Sequence, residues 1–168
     1  MRLIVTDANI IIDLAAGGLL EEMFRLPEVE FCVPDVLYVE ELAAHYGILP
    51  GLGLKVLPQP AESVEYVMRL RQHYRRPSTN DLFALALART LGCALLSGDG
   101  ALREAATRER VEVHGTLWLI EALLDARVVL VERVAVAYEA MQRDGSRLPW
   151  DQDGAQIQRW QSRSGAKG

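Results

Sequence analysis

The chain has 168 residues, 50% of them hydrophobic, and a formal net charge of −5. This length suits one domain with a substantial core, and the hydrophobic content excludes a wholly disordered chain. The acidic balance argues against a protein that binds nucleic acid mainly through bulk positive charge. No apolar run reaches the roughly 18 residues that a membrane-spanning helix needs. The N-terminus lacks a signal-peptide pattern, so we expect a cytoplasmic protein without membrane contact.

Short apolar runs alternate with helical patterns along the chain. The runs predict five strands, the third of them weak, at residues 2–6, 29–33, 54–57, 93–97 and 111–113. The helical patterns lie at residues 9–16, 19–26, 35–46, 60–74, 77–91, 101–108 and 117–125. Two further helices are predicted at 131–141 and 154–161.

This alternation predicts an α/β fold with a central, mainly parallel sheet of four to five strands and helices on both faces. Residues 1–127 form the predicted domain, residues 128–161 a helical C-terminal extension of it, and residues 162–168 a flexible tail. Sheets of this kind place their sites beyond the carboxyl ends of the strands. Asp7 and Asp99 both follow strands directly, so we expect them to share one edge of the sheet.

Each candidate aspartate also has an ordinary structural explanation. Asp7 precedes a helix and Asp99 lies in a tight Gly-Asp-Gly turn, where aspartate is a common N-cap. Asp81 stands three residues after Ser78, as in a capping box. The apolar helix that follows Asp81 is expected to be buried on most sides, so a carboxylate at its start needs a compensating partner.

Glu40 and Glu41 compete for a fourth acidic position. At about 100° per residue on an α-helix, Glu40 lies beside the apolar face of the predicted helix 35–46, and Glu41 lies almost opposite that face. The helical wheel therefore favours Glu40 at the edge of a cleft, with Glu41 as its rival.

Several converging carboxylates repel one another unless a cation neutralises them. Oxygen donors suit hard divalent ions, so Asp7, Asp81, Asp99 and Glu40 predict a Mg²⁺ or Mn²⁺ site rather than a zinc site. Such an ion can activate water and stabilise charge on a phosphate. Asn9 and Ser97 neighbour the acids and are candidates to orient them.

Four segments, taken in order, resemble the PIN domain of VapC-type toxin nucleases. They are residues 5–10, 33–42, 80–88 and 95–99, which carry the acids named above. The run 114–119, with Gly-Thr-Leu, is similar to a PIN subgroup that continues into extra helices. The resemblance covers residues 1–127, and Ser97 stands where the family often has threonine.

The resemblance implies a three-layer α/β/α fold and a metal-dependent endoribonuclease with catalytic Asp7, Glu40, Asp81 and Asp99. It also implies the toxin of a toxin–antitoxin pair, silenced by a small antitoxin protein, and a homodimer. The alternative is a catalytically inactive PIN-like module that binds RNA or protein. Arg75 and Arg76 belong to a basic run that either contacts RNA or is the solvated end of a helix.

Overall fold

A five-stranded parallel sheet lies at the centre of the protein. The computed structural model describes residues 1–165. The strands are β1 (Arg2–Thr6), β2 (Val29–Pro34), β3 (Lys55–Leu57), β4 (Ala94–Leu96) and β5 (Val113–His114). They follow the order β3-β2-β1-β4-β5, and every neighbouring pair is parallel. The predicted α/β architecture, with its parallel sheet flanked by helices, is confirmed.

The order of the strands creates a crevice at the carboxyl edge of the sheet. The chain builds outward from β1 through β2 to β3, and then returns to the other side of β1 for β4 and β5. Thr6, the last residue of β1, is in register with Leu96, the last residue of β4. The connections therefore diverge between β1 and β4, and such a switch point is where ligands bind in open parallel sheets.

Ten α-helices and one π-helical segment surround the sheet in the described part of the chain. The α-helices are α1 (Ala8–Ala16), α2 (Leu20–Met23), α3 (Asp35–Leu37), α4 (Leu49–Leu52), α5 (Ala61–His73), α6 (Thr79–Leu91), α7 (Gly100–Arg108), α8 (Thr116–Asp125), α9 (Val131–Arg143) and α10 (Trp150–Gly165). Across residues 1–165, we find no helix with the length and apolar character to span a membrane.

The segment predicted as one helix at 35–46 departs from α geometry. After the short α3, the chain forms a π-helix at Tyr38–Leu42, where Ala43 N–H donates to Tyr38 O at 2.8 Å. A separate helix, α4, follows at Leu49–Leu52. The prediction of a single α-helix is therefore wrong. The directions of the Glu40 and Glu41 side chains follow the π-helical backbone and not the α-helical wheel.

Helix α6 is the centre of the packing, as its composition predicts. Its segment from Ala84 to Ala88 is buried, and it packs against β1, β2 and β4. Because α6 is held on several sides, its N-terminus is fixed relative to the carboxyl edge of the sheet. That N-terminus carries Asp81.

The C-terminal helices continue the same core. Helix α9 packs on α1, where Gly17 makes room for Met141, and Arg133 Nη2 donates to Gly18 O at 2.7 Å. The last helix is longer than the predicted 154–161, since α10 spans Trp150–Gly165. Its buried Gln156 accepts a hydrogen bond from Tyr138 and donates to Leu117 O at 2.9 Å. The predicted tail at 162–168 thus begins inside α10, and residues 166–168 lie outside the described residues.

Candidate active site

Asp7 is a fully buried carboxylate at the end of the central strand. It follows β1 and caps α1, with Oδ1 accepting a hydrogen bond of 3.0 Å from Ile10 N–H. Its other oxygen, Oδ2, is buried and has no hydrogen-bond partner among the described residues. Burial raises the pKa of Asp7 to about 7, and the negative charge of Asp81 contributes to the rise. A buried oxygen of this kind calls for a positively charged partner.

Asp81 is held by a reciprocal capping box at the start of α6. Its backbone N–H donates to Ser78 Oγ at 3.0 Å, and its Oδ2 accepts from Ser78 N–H at 3.0 Å. Burial raises the pKa of Asp81, and the charge of Asp99 raises it further. The carboxylate is therefore both oriented by its helix and exposed to the charge of a second site residue.

Asp99 completes the group from the far side of the crevice. It follows β4 and caps α7, with Oδ1 accepting from Leu102 N–H at 2.9 Å. Its own backbone N–H donates to the buried Ser97 Oγ at 3.1 Å. Ser97 also lowers the pKa of Asp7, partly offsetting the effect of burial. The Ser97 hydroxyl thus binds the backbone of Asp99 and also lowers the pKa of Asp7.

Asp7 and Asp99 each cap a helix with Oδ1, and Asp81 completes the capping box of α6 with Oδ2. Capping and chemistry are therefore not exclusive explanations of these residues. The caps fix the direction of each side chain, and the second oxygen stays available to a ligand. The charge of Asp81 raises the pKa of Asp7, and the charge of Asp99 raises the pKa of Asp81. The three carboxylates are therefore close enough to repel one another.

Glu40 and Glu41 both lie in the π-helical segment near the start of α6. Asn80 Nδ2 donates to Glu40 Oε2 at 2.8 Å. Burial raises the pKa of Glu41, and the charges of Asp81 and Glu40 add to the rise, whereas Asn80 lowers it. Sequence reasoning assigned no role to Asn80, although it directly precedes Asp81. The helical wheel that favoured Glu40 over Glu41 assumed an α-helix. Because this segment is a π-helix, the wheel no longer supports that choice.

A protein-family model of the PIN domain, DUF3368, matches residues 3–162. The chain belongs to the PIN-domain family. No curated protein matches the chain. PIN domains are in general nucleases that use divalent metal ions, so the acidic crevice belongs to a nuclease-type fold.

The acidic crevice of this PIN domain fits a hard cation in its chemistry. The donors are carboxylate oxygens, and Asp7 Oδ2 is a buried acceptor without a partner. Within residues 1–165, however, no three His, Cys, Asp or Glu side chains lie close enough to share a metal ion as they stand.

The neighbours predicted to orient the acids differ in their contacts. Ser97 is buried and bonded as described above, and it is the link between β4 and Asp99. Asn9 is exposed, and its side chain forms no hydrogen bond with any described residue. In this PIN domain the structure thus connects Ser97, but not Asn9, to the acids.

The basic run before α6 divides into two kinds of arginine. Arg71 Nη1 donates to Pro77 O at 2.8 Å and to Tyr74 O at 3.2 Å, and Nη2 donates to Thr79 Oγ1 at 3.0 Å. It therefore braces the loop that leads to Asp81, a role that sequence reasoning missed. Arg75 and Arg76 are exposed and form no salt bridge with the described residues. Their side chains are free for an external anion.

Proposed function

We propose that this PIN domain is a Mg²⁺- or Mn²⁺-dependent endoribonuclease that hydrolyses phosphodiester bonds in RNA. The observation that carries the proposal is the unpartnered, buried Oδ2 of Asp7 at an edge where Asp81 and Asp99 add negative charge. Burying a carboxylate without a partner is costly. A hard divalent cation is a partner that matches this set of oxygen donors. We extend the proposal to a cytoplasmic location, where such an enzyme would meet RNA.

Asp7, Asp81 and Asp99, with Glu40 or Glu41, would hold the cation. A bound divalent ion supplies a lowered pKa for water and neutralises charge on the phosphate. The protein contributes orientation, because each helix cap fixes one carboxylate oxygen. In the hydrolysis, the water oxygen bonds to phosphorus, the bond from phosphorus to the leaving ribose oxygen breaks, and that oxygen takes up a proton.

The test is cleavage of a broad pool of end-labelled RNA with Mg²⁺ or Mn²⁺ and with a chelator. We expect the wild type to cut only with metal, and Asp7→Asn or Asp99→Asn to lose about a hundredfold or more of the rate. Asp125→Asn is the matched control, since this exposed aspartate ends α8 away from the crevice. Equal cutting by the wild type and Asp7→Asn would contradict the proposal.

A second candidate, a catalytically inactive module that binds RNA or protein, is favoured by one observation. As they stand, the acids among residues 1–165 do not form a group that shares a metal ion. Calorimetric titration with Mn²⁺ separates the two candidates. The nuclease requires binding that weakens in Asp7→Asn and Asp81→Asn, whereas the inactive module requires none.

The proposal extends to a VapC-type toxin with a small antitoxin partner, and to a homodimer. Its support is the resemblance of the segments around Asp7, Asp81 and Asp99 to toxin PIN domains. Expression of the chain alone should arrest growth, and co-expression of a small DNA-binding protein encoded in the adjacent reading frame should relieve the arrest. Sedimentation of the purified protein reports the dimer.

A further inference from the structure

A groove opens beside the acidic crevice, at the carboxyl ends of β4 and β5. Gly98, which precedes Asp99, lies at one end of it. Helices α7 and α8 and the segment before α10 form its walls, through Arg103, Trp118 and Arg147. The C-terminal extension thus contributes a wall to a groove whose lining includes the residue that precedes Asp99.

The charge of the groove is opposite to that of the chain. Two arginines line it and, within the described residues, no aspartate or glutamate does. Neither Arg103 nor Arg147 forms a salt bridge with any described carboxylate. In a protein with a net charge of −5, this is a local positive surface next to an acidic site.

Arg103 is positioned rather than loose. It lies one turn along α7 from Asp99, and its Nη1 makes a long hydrogen bond of 3.4 Å to Ser97 O. Gly115 makes room for it, because a Cβ at this position would lie 2.2 Å from Arg103 Nη1. The remaining guanidinium donors keep the planar geometry that suits two phosphate oxygens.

The wall beside Arg103 contains two stacked rings and the start of α8. The rings of His114 and Trp118 stack with centroids 4.2 Å apart, and His114 Nε2 is bonded to Glu112 Oε1 at 2.6 Å. Helix α8 begins here, and its N-cap Gly115 provides no side-chain acceptor for the first amides. These amides supplement the arginines as donors to an anion.

We propose that this groove binds a backbone phosphate of the single-stranded RNA, next to the phosphate that is cut, through Arg103 and Arg147. The inference rests on the proposed ribonuclease function for the course of the strand from the crevice into the groove. It explains how an acidic protein holds a polyanion: the positive contacts are concentrated beside the site instead of being spread over the surface.

The test measures binding of a labelled single-stranded RNA by fluorescence anisotropy, with chelator present so that no cleavage occurs. We expect Arg103→Gln and Arg147→Gln each to weaken binding about fivefold to tenfold. Each should also reduce the slope of log K against log salt by about 0.7. Arg110→Gln is the matched control, because this exposed arginine lies before β5 at the opposite edge of the sheet and should change affinity less than twofold.

One further variant and a series of modified RNAs sharpen the result. Gly115→Ala keeps both arginine charges but displaces the Arg103 guanidinium. It should therefore weaken binding, but it should change the salt slope less than Arg103→Gln does. An RNA series with one neutral methylphosphonate linkage at each position identifies the bound phosphate. The linkage that weakens binding by the wild type should have no effect on the double variant, which combines Arg103→Gln and Arg147→Gln.

The outcomes separate this inference from the proposed function. If the wild type cuts RNA but the double variant binds with an unchanged affinity and salt slope, the groove proposal is overturned and the nuclease stands. If the wild type never cuts but the arginine variants lose affinity, RNA phosphate binding by the groove stands, while the nuclease and the position of the groove next to a cut phosphate fail. Competition by inorganic phosphate alone, with no sensitive linkage in the RNA, would also overturn the groove proposal. Circular dichroism of each variant verifies the fold.

Discussion

The Ser97 hydroxyl accepts a hydrogen bond of 3.1 Å from the backbone N–H of Asp99. Ser97 is fully buried, and it also lowers the pKa of the buried Asp7. A single side chain therefore couples the end of β4 to the acid at the end of β1. This coupling makes Ser97 the first residue to test.

Replacing Ser97 with alanine should leave the Asp99 N–H without its acceptor and should raise the pKa of Asp7 further. We expect a loss of about 0.5–1.5 kcal/mol in the free energy of unfolding, because a half-buried donor loses its hydrogen bond. RNA cleavage should fall as well. Ser97→Thr keeps the hydroxyl and is the control; a threonine variant as unstable as the alanine variant would attribute the effect to packing alone. Denaturant titration measures the stability.

The metal-free protein should lose stability as the pH rises between about 4 and 7. The Asp7 pKa is raised from 3.8 to about 7 by burial, so in this window the folded state holds a proton that the unfolded state has released. The contribution reaches about 1.4 kcal/mol for each pH unit and levels off above pH 7. Denaturant unfolding of the wild type and Asp7→Asn in chelator measures it.

The difference between those two proteins isolates Asp7 from the other carboxylates. Relative to the wild type, Asp7→Asn should gain stability from pH 4 to pH 7. Parallel curves for the wild type and Asp7→Asn would show that Asp7 titrates in the folded protein as it does in the unfolded chain.

Glu41→Gln should reduce RNA cleavage more than Glu40→Gln does. Asn80 lies beside both glutamates, but the pKa of Glu41 is raised by burial and also by the charge of Asp81, which marks Glu41 as a neighbour of the site. Cleavage rates of the two variants, at matched metal concentration, decide between them. The reverse order of the rates would restore the assignment that the α-helical wheel favoured.

Arg71→Met should loosen the loop that carries Ser78 and Asp81. Arg71 donates to two carbonyls and to Thr79 at 3.2 Å or less, and hydrogen bonds from a charged group contribute about 1.5–3 kcal/mol. We expect lower stability, faster proteolysis between residues 74 and 79, and slower cleavage. Arg69→Met is the control, since Arg69 is exposed and forms no hydrogen bond with a described residue. Equal proteolysis of both variants would exclude a bracing role for Arg71.

Local sequence determined the strands β1 and β4 and the helix α6, because their apolar runs are continuous and their caps lie beside them. Asp7 and Asp99 directly follow β1 and β4, and parallel strands bring their carboxyl ends to one edge. That edge, and the two acids on it, could therefore be predicted without coordinates. The buried character of α6 likewise follows from its composition alone.

Only the tertiary structure decided what the neighbours of these acids do. The π-helix at Tyr38–Leu42 depends on a hydrogen bond one residue longer than the α-helical pattern, and no local signal distinguishes the two. Whether Arg71 points to its own loop or to solvent depends on the carbonyls that the fold places around it. The buried, unpartnered Oδ2 of Asp7 also results from tertiary packing, because elements distant in the chain cover this oxygen without donating a hydrogen bond to it.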